Sequence, residues 1–176
     1  MLWGFFLKLV IADRITVLVD KVFLEFEKYG MIVLGIGAIG YAIQIYCDFN
    51  SYSLIALGTA RVLGFELINN FETPYFAQSV TEFWRRWHIS LSSWFRDYVY
   101  IPLGGNRKGK WRQYLNILIT FSISGLWHGA NLTFVFWGFL HGFYQIVEKE
   151  AQVIVRKING KLQTKTESFG YKFTKI

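Results

Sequence analysis

The stretch QYLNILITFSISGLWHGANLTFVFWGFLHGFYQIV, residues 113–147, contains no Lys, Arg, Asp or Glu. It divides into two apolar segments, Gln113 to Leu126 and Leu132 to Val147, around Trp127-His-Gly-Ala-Asn131. As helices these segments are about 21 to 24 Å long, short of a hydrocarbon core of about 30 Å. Basic blocks flank them, with a net +6 over residues 83–112 and +4 over 148–176. Basic flanks stay on the cytoplasmic side, so both ends belong there and the stretch must enter the membrane and return. Trp127 to Asn131 then form the apex. Irregular backbone at that depth is tolerated only when protein or a water-filled cavity surrounds it, so His128 is expected to face away from lipid.

Composition outside this stretch agrees. Hydrophobic residues make up 53% of the 176, aromatic residues 19% and charged residues only 18%, which excludes a disordered chain. A mean hydropathy of +0.28 is modest for a bundle of spans, so part of the chain must lie on or beside the bilayer. The net charge of +7 sits among long apolar runs instead of forming one solvated face, which argues against nucleic-acid binding. Cys47 is the single cysteine; it permits no internal disulfide, no Cys/His spacing fits a metal site, and it reads as a small core residue. Leu2 to Ala12 is apolar but Lys8 interrupts it and Asp13-Arg14 follow, unlike a signal peptide; it reads as the tail of a span.

Further along, Met31 to Cys47 is 17 residues with Gln44 as the one strongly polar side chain, a helix of about 26 Å that can span with help from its flanks. Ala56, Ala60 and Gly64 recur every four residues, a face on which another helix could approach closely. Asn69 to Pro74 make a break. From Glu82 to Tyr98, Phe83, Trp84, Trp87, Leu91, Trp94, Phe95 and Tyr98 fall within an arc of about 120° on a helical wheel. This predicts one continuous amphipathic helix at the membrane interface, with indoles at headgroup level and Arg85, Arg86 and Arg96 reaching water. Pro102 and Gly104-Gly105 end it, and Asn106 to Arg112 form a basic loop. Gly104 to Lys110 matches most of a phosphate-binding loop, but Trp111 stands where Ser or Thr is required. The fold class is therefore all-α: a polytopic membrane segment of transmembrane, re-entrant and interfacial amphipathic helices. Residues 1–148 form its membrane domain and 149–176 a basic, cytoplasmic polar tail.

The three histidines, His88, His128 and His141, all lie among apolar or aromatic residues. An ionisable group inside a membrane points to function, and neutral imidazole is the side chain best suited to removing a proton near neutral pH. His128 has the strongest case: Gly125, Gly129 and Ala130 leave room for a substrate, and Asn131 offers an amide to orient it. His88 is second, with Arg85, Arg86 and Arg96 able to receive an anionic ligand. His141 reads as packing.

Four blocks carry a resemblance: Tyr46-Cys-Asp-Phe-Asn-Ser-Tyr-Ser53, Asn70-Phe-Glu-Thr-Pro-Tyr75, the run from Glu82-Phe-Trp-Arg-Arg-Trp-His88 to Pro102-Leu-Gly-Gly105, and Ser124-Gly-Leu-Trp-His-Gly-Ala130. Over roughly residues 1–148 the chain resembles the membrane-bound O-acyltransferase (MBOAT) family, in its branch of bacterial alginate O-acetyltransferases and D-alanyl transfer proteins. The resemblance implies transfer of an acyl group, as in alginate O-acetylation, from a cytoplasmic thioester such as acetyl-CoA to a hydroxyl of an extracytoplasmic polysaccharide. It implies a multi-pass protein of the inner (plasma) membrane, in contact with lipid and a periplasmic or surface partner, with no bound cofactor. His128 corresponds to the family's catalytic histidine and His88 to its second characteristic one; Asn116 joins them as a contributor to donor or oxyanion positioning. The family's Asp-Phe-Ser-Gly-Tyr-Ser-Asp run reads Asp48-Phe-Asn-Ser-Tyr-Ser-Leu54 here, losing a glycine and an acid. Members are commonly more than twice this long, so the chain looks like an internal segment of a larger protein. The competing readings are a catalytically silent membrane fragment or interaction subunit, and a transporter or channel element in which His128 lines a path.

Overall fold

A computed structural model describes residues 1–161, which are helical apart from shorter turns and an irregular stretch over residues 63–79 that holds the 3-10 turn Pro74–Phe76 and one side of an isolated bridge. They form two compact units, one of residues 1–74 and 86–90, the other of 75–85 and 91 onward.

The first unit is an antiparallel helical hairpin. Helix α1 (Leu2–Phe6), a π-helical stretch Leu7–Ala12 and α2 (Asp13–Leu24) run on from one another, and after the short turn Phe26–Lys28 the chain returns as α3 (Met31–Val62). Glycines set the spacing: a Cβ on Gly4 would lie 2.9 Å from the Ser51 carbonyl oxygen, and one on Gly37 would lie 2.8 Å from Val22. Leu7, Ala12 and Cys47 make the buried core. Lys8 is met by Asp48 at 2.6 Å and Asp13 at 3.0 Å, so the charge that interrupts the N-terminal apolar run has a carboxylate waiting on the facing helix.

Among the described residues α3 is the one helix long and apolar enough to cross a membrane. It continues well beyond the expected end at Cys47 and reaches about 48 Å. It stops at a Schellman motif: Gly64, at φ +83°, donates its N–H to the Arg61 carbonyl, and Phe65 donates to Ala60. Gly64 is thus the helix stop rather than part of a packing face, because its missing Cβ makes the left-handed conformation accessible.

The structure corrects the expected single helix from Glu82 to Tyr98. α4 (Val80–Arg86) and α5 (Ile89–Phe95) are separated at Trp87 and His88, and α5 passes into a π-helical turn Arg96–Tyr100. The cause lies in the first unit. Phe71 bridges Trp87, Glu72 donates its N–H to the Arg86 carbonyl, and the Asn70 carbonyl accepts from Ile89 N–H, each of the last two at 3.0 Å. These bonds to a distant segment replace helical ones, which a wheel cannot register.

In the second unit, α4 opens with a capping arrangement: Ser79 Oγ accepts the Glu82 N–H, and Glu82 accepts the Gln78 N–H. After the turns at 101–109, α6 (Lys110–His128) and α7 (Leu132–Lys161) form a second antiparallel hairpin. α6 begins at Lys110, inside the expected basic loop, and is about 28 Å long, nearer to a full crossing than the 113–126 segment alone. α7 continues past residue 148, where the membrane domain was expected to end, to Lys161; the rest of the expected tail, residues 162–176, lies outside the described ones.

Candidate active site

Two helices bring the His128 region together because their backbones touch. A Cβ on Gly125 would lie 2.1 Å from the Phe134 carbonyl oxygen, and one on Gly138 would lie 2.1 Å from that of Phe121. Only residues without a side chain allow so close a crossing. α6 ends at His128, and Gly129 to Asn131 turn the chain. Asn131 Oδ1 then accepts both the backbone N–H and the hydroxyl of Thr133 at 3.0 Å, capping the start of α7. The carbonyl oxygen of the Asn131 amide is therefore committed to the turn.

His128 is exposed at this bend, not enclosed by the described residues, and has three aromatic rings beside it: Trp127 at 5.1 Å, Trp137 at 5.2 Å in an edge-to-face arrangement, and Phe134 at 6.3 Å. Trp137 in turn packs on His141 at 4.6 Å, and Trp84 lies 5.2 Å from His141 and 6.0 Å from Trp137. The expected packing role of His141 is thus specific: with Trp84 it fixes the indole that bears on His128. Both Trp84 Nε1 and His141 Nδ1 are buried without a hydrogen-bond partner among the described residues. Trp137 is a neighbour of His128 that residue type alone does not mark. Its spacing of four from His141, inside the charge-free stretch, was the available signal.

At the other end of the hairpin the side chains are charged. Lys110 pairs with Glu150 at 2.5 Å, Tyr114 donates to the same carboxylate, and Lys149 donates to Gln113. Glu148 accepts from both the N–H and the hydroxyl of Thr81. The hairpin is thus polar at its base and aromatic around His128.

Asn116 is fully buried, at 0% exposure. Its Nδ2 donates to the Gly105 carbonyl at 2.9 Å, and its Oδ1 has no partner among the described residues. It stands 12 residues before His128 on α6, about 18 Å along the axis, so the structure does not bring the two together. What its amide holds is the turn in which Gly104 and Gly105 take φ +110° and +55°. Of the arginines, Arg96 makes two bonds to Asp97 at 2.8 and 3.1 Å, and its guanidinium holds that carboxyl below the usual carboxylate range. Arg86 donates to Thr73 at 3.4 Å, and Arg85 is exposed on α4.

His88 belongs to the first unit. It is one of two described non-glycine residues with positive φ, at +46°. Its ring stands edge-to-face on Phe49 at 4.7 Å, and its Nδ1 lies 3.5 Å from Ser90 Oγ. Phe71, Tyr46 and Trp87 complete an aromatic cluster around it. No group of His, Cys, Asp and Glu suited to a metal occurs among the described residues.

The profile of the membrane-bound O-acyltransferase (MBOAT) family matches residues 1–170. The chain is 49% identical over 147 residues to the probable alginate O-acetylase AlgI of Pseudomonas putida, covering 83% of the chain and 30% of that protein. It is 39% identical over 156 residues to the peptidoglycan O-acetyltransferase of Helicobacter pylori, covering 89% of the chain and 30% of the relative. The teichoic acid D-alanyltransferase of Bacillus subtilis is 32% identical over 109 residues, 58% of the chain and 28% of that protein. The chain therefore spans about 30% of the length of such relatives.

Proposed function

The chain belongs to the membrane-bound O-acyltransferase family, and from that premise we propose that it supplies the reaction centre of an enzyme moving an acyl group, acetyl in the first instance, from a thioester to a polysaccharide hydroxyl. The observation that carries this reading is the placement of His128: at the end of α6, at a glycine-crossed bend, exposed, with Trp127, Phe134 and Trp137 beside its ring. A thioester is already activated, whereas a hydroxyl is a weak nucleophile that needs a base and close approach. In the proposed step a ring nitrogen of neutral His128 takes the hydroxyl proton while the oxygen attacks the thioester carbonyl. The C–O bond forms, the C–S bond breaks, and the proton passes to the departing thiolate.

Three of the relatives support the substrate class, since each is named for acyl transfer to a polymer or for a polymer's acetylation: alginate, peptidoglycan or teichoic acid. Alginate-like polysaccharide is the favoured acceptor on the higher identity. The basic residues 107–112 and the charged base of the hairpin favour the cytoplasmic side for the thioester, acetyl-CoA or a carrier-bound acyl group, with His128 towards the opposite face of the inner membrane. A periplasmic or surface protein would then complete delivery to the polymer. His88, in its strained and aromatic setting, is assigned a second role in transfer, and Asn116 the positioning of the 104–109 turn.

The test is transfer of labelled acetyl from acetyl-CoA to polysaccharide in membranes carrying the chain in its full genomic reading frame. Alkali-labile acetyl ester on the polymer is expected. Its complete absence with alginate, peptidoglycan and teichoic acid acceptors, and with carrier-bound donors, would remove the reading.

A further inference from the structure

His88 holds a backbone conformation that a non-glycine residue does not take without help. The help is visible. Asn70, 18 residues earlier, contacts the two residues after His88: its main-chain carbonyl accepts the Ile89 N–H at 3.0 Å, and its side-chain Oδ1 accepts the Ser90 N–H at 3.0 Å. Those N–H groups are the first of α5, where no preceding turn could satisfy them. The Phe71–Trp87 bridge and the bond from Glu72 N–H to the Arg86 carbonyl hold the residues before His88 to the same strand-like segment. His88 is thus fixed from both sides, with its backbone at φ +46° and its ring against Phe49.

We propose that Asn70 is the positioning residue of His88: by satisfying the start of α5 with both its oxygens it ends α4, forces the left-handed turn, and aims the imidazole. This rests on the role in transfer assigned to His88 above. Only an acceptor on a short side chain can bond Ser90 while its own carbonyl bonds Ile89. Asp keeps that acceptor and Ala loses it.

The experiment compares the parent, Asn70→Ala, Asn70→Asp, His88→Ala and the double variant Asn70→Ala/His88→Ala, in membranes carrying the full reading frame and at matched inserted amounts. Asn70→Ala should lower kcat by roughly 10- to 100-fold with the KM for acetyl-CoA little changed, as a displaced reacting group does. Asn70→Asp should recover most of that loss. In the His88→Ala background the Asn70→Ala change should add less than about twofold, because a residue acting through another has nothing left to act on. Independently of activity, carbethoxylation of His88 by diethyl pyrocarbonate, read by peptide mass spectrometry, should speed up in Asn70→Ala and not in Asn70→Asp. Full additivity of the two alanine changes, or an unchanged modification rate, overturns the clamp while leaving His88 its role. Parental transfer by His88→Ala overturns the role itself and the proposal with it.

Discussion

Gly125 lies so close to Phe134 that a Cβ on it would stand 2.1 Å from the Phe134 carbonyl oxygen. Two backbones in contact three residues before His128 fix where α6 ends and where the rings of α7 meet the imidazole. Gly125→Ala, or Gly138→Ala on the facing helix, should force the hairpin apart at a cost of roughly 1–3 kcal/mol. Transfer should fall with both, and protease resistance of the inserted hairpin should fall in parallel. Alanine at Gly30, which has open space around its Cβ position, should change neither.

Trp137 offers a sharper separation of packing from chemistry. It touches His128 on one side and His141 on the other. Trp137→Ala should reduce kcat by roughly 10- to 100-fold through loss of imidazole placement, and Trp137→Phe, which keeps a ring edge, should lose much less. Steady-state transfer assays at saturating acetyl-CoA measure this.

For Asn116 a different signature is expected. Its Nδ2 is the donor to the buried Gly105 carbonyl, so Asn116→Ala strands that oxygen and should destabilise the fold by about 1–3 kcal/mol. The loss should appear as a lower thermal midpoint of the detergent-purified protein. Any fall in transfer should follow the folded amount, because the amide is far from His128 along α6.

The topology proposed here places the exposed Lys108 in the cytoplasm. In a Cys47→Ser background, Lys108→Cys should resist an impermeant maleimide applied to intact cells and react in inverted vesicles. Efficient labelling from outside would reverse the orientation.

The fold was legible where local pattern governs it. The absence of charge from 113 to 147, the separation of two apolar runs by Trp127 to Asn131, and the apolar start of α3 all appear as helices and a bend. Cys47 is buried as its size and isolation suggested. What escaped was set by distant partners or by glycine's two uses. Gly64 kept the four-residue spacing of a packing face yet terminates α3, because the bonds from Gly64 and Phe65 depend on the chain leaving the helix there. The wheel from Glu82 to Tyr98 was apolar on one side throughout, but Asn70 and Phe71 draw Trp87 and His88 out of the helix. Around His128, the small residues that let the two helices approach were readable from residue types. Trp137, His141 and Trp84 were not, since ring contacts across a hairpin need the crossing point, which the glycines set. Residue type marked Asn116 as a polar group in an apolar run, but not that its Nδ2 holds the Gly105 carbonyl, a contact set by the turn before α6.

The claim that His128 is the base is tested most directly by His128→Gln, assayed for labelled acetyl ester on polysaccharide against the parent in membranes with matched inserted amounts. Glutamine retains a polar side chain of similar reach but cannot accept the hydroxyl proton. A loss of roughly 100-fold or more in kcat is expected, with acetyl-CoA binding preserved; transfer at the parental rate would rule out His128 as the base.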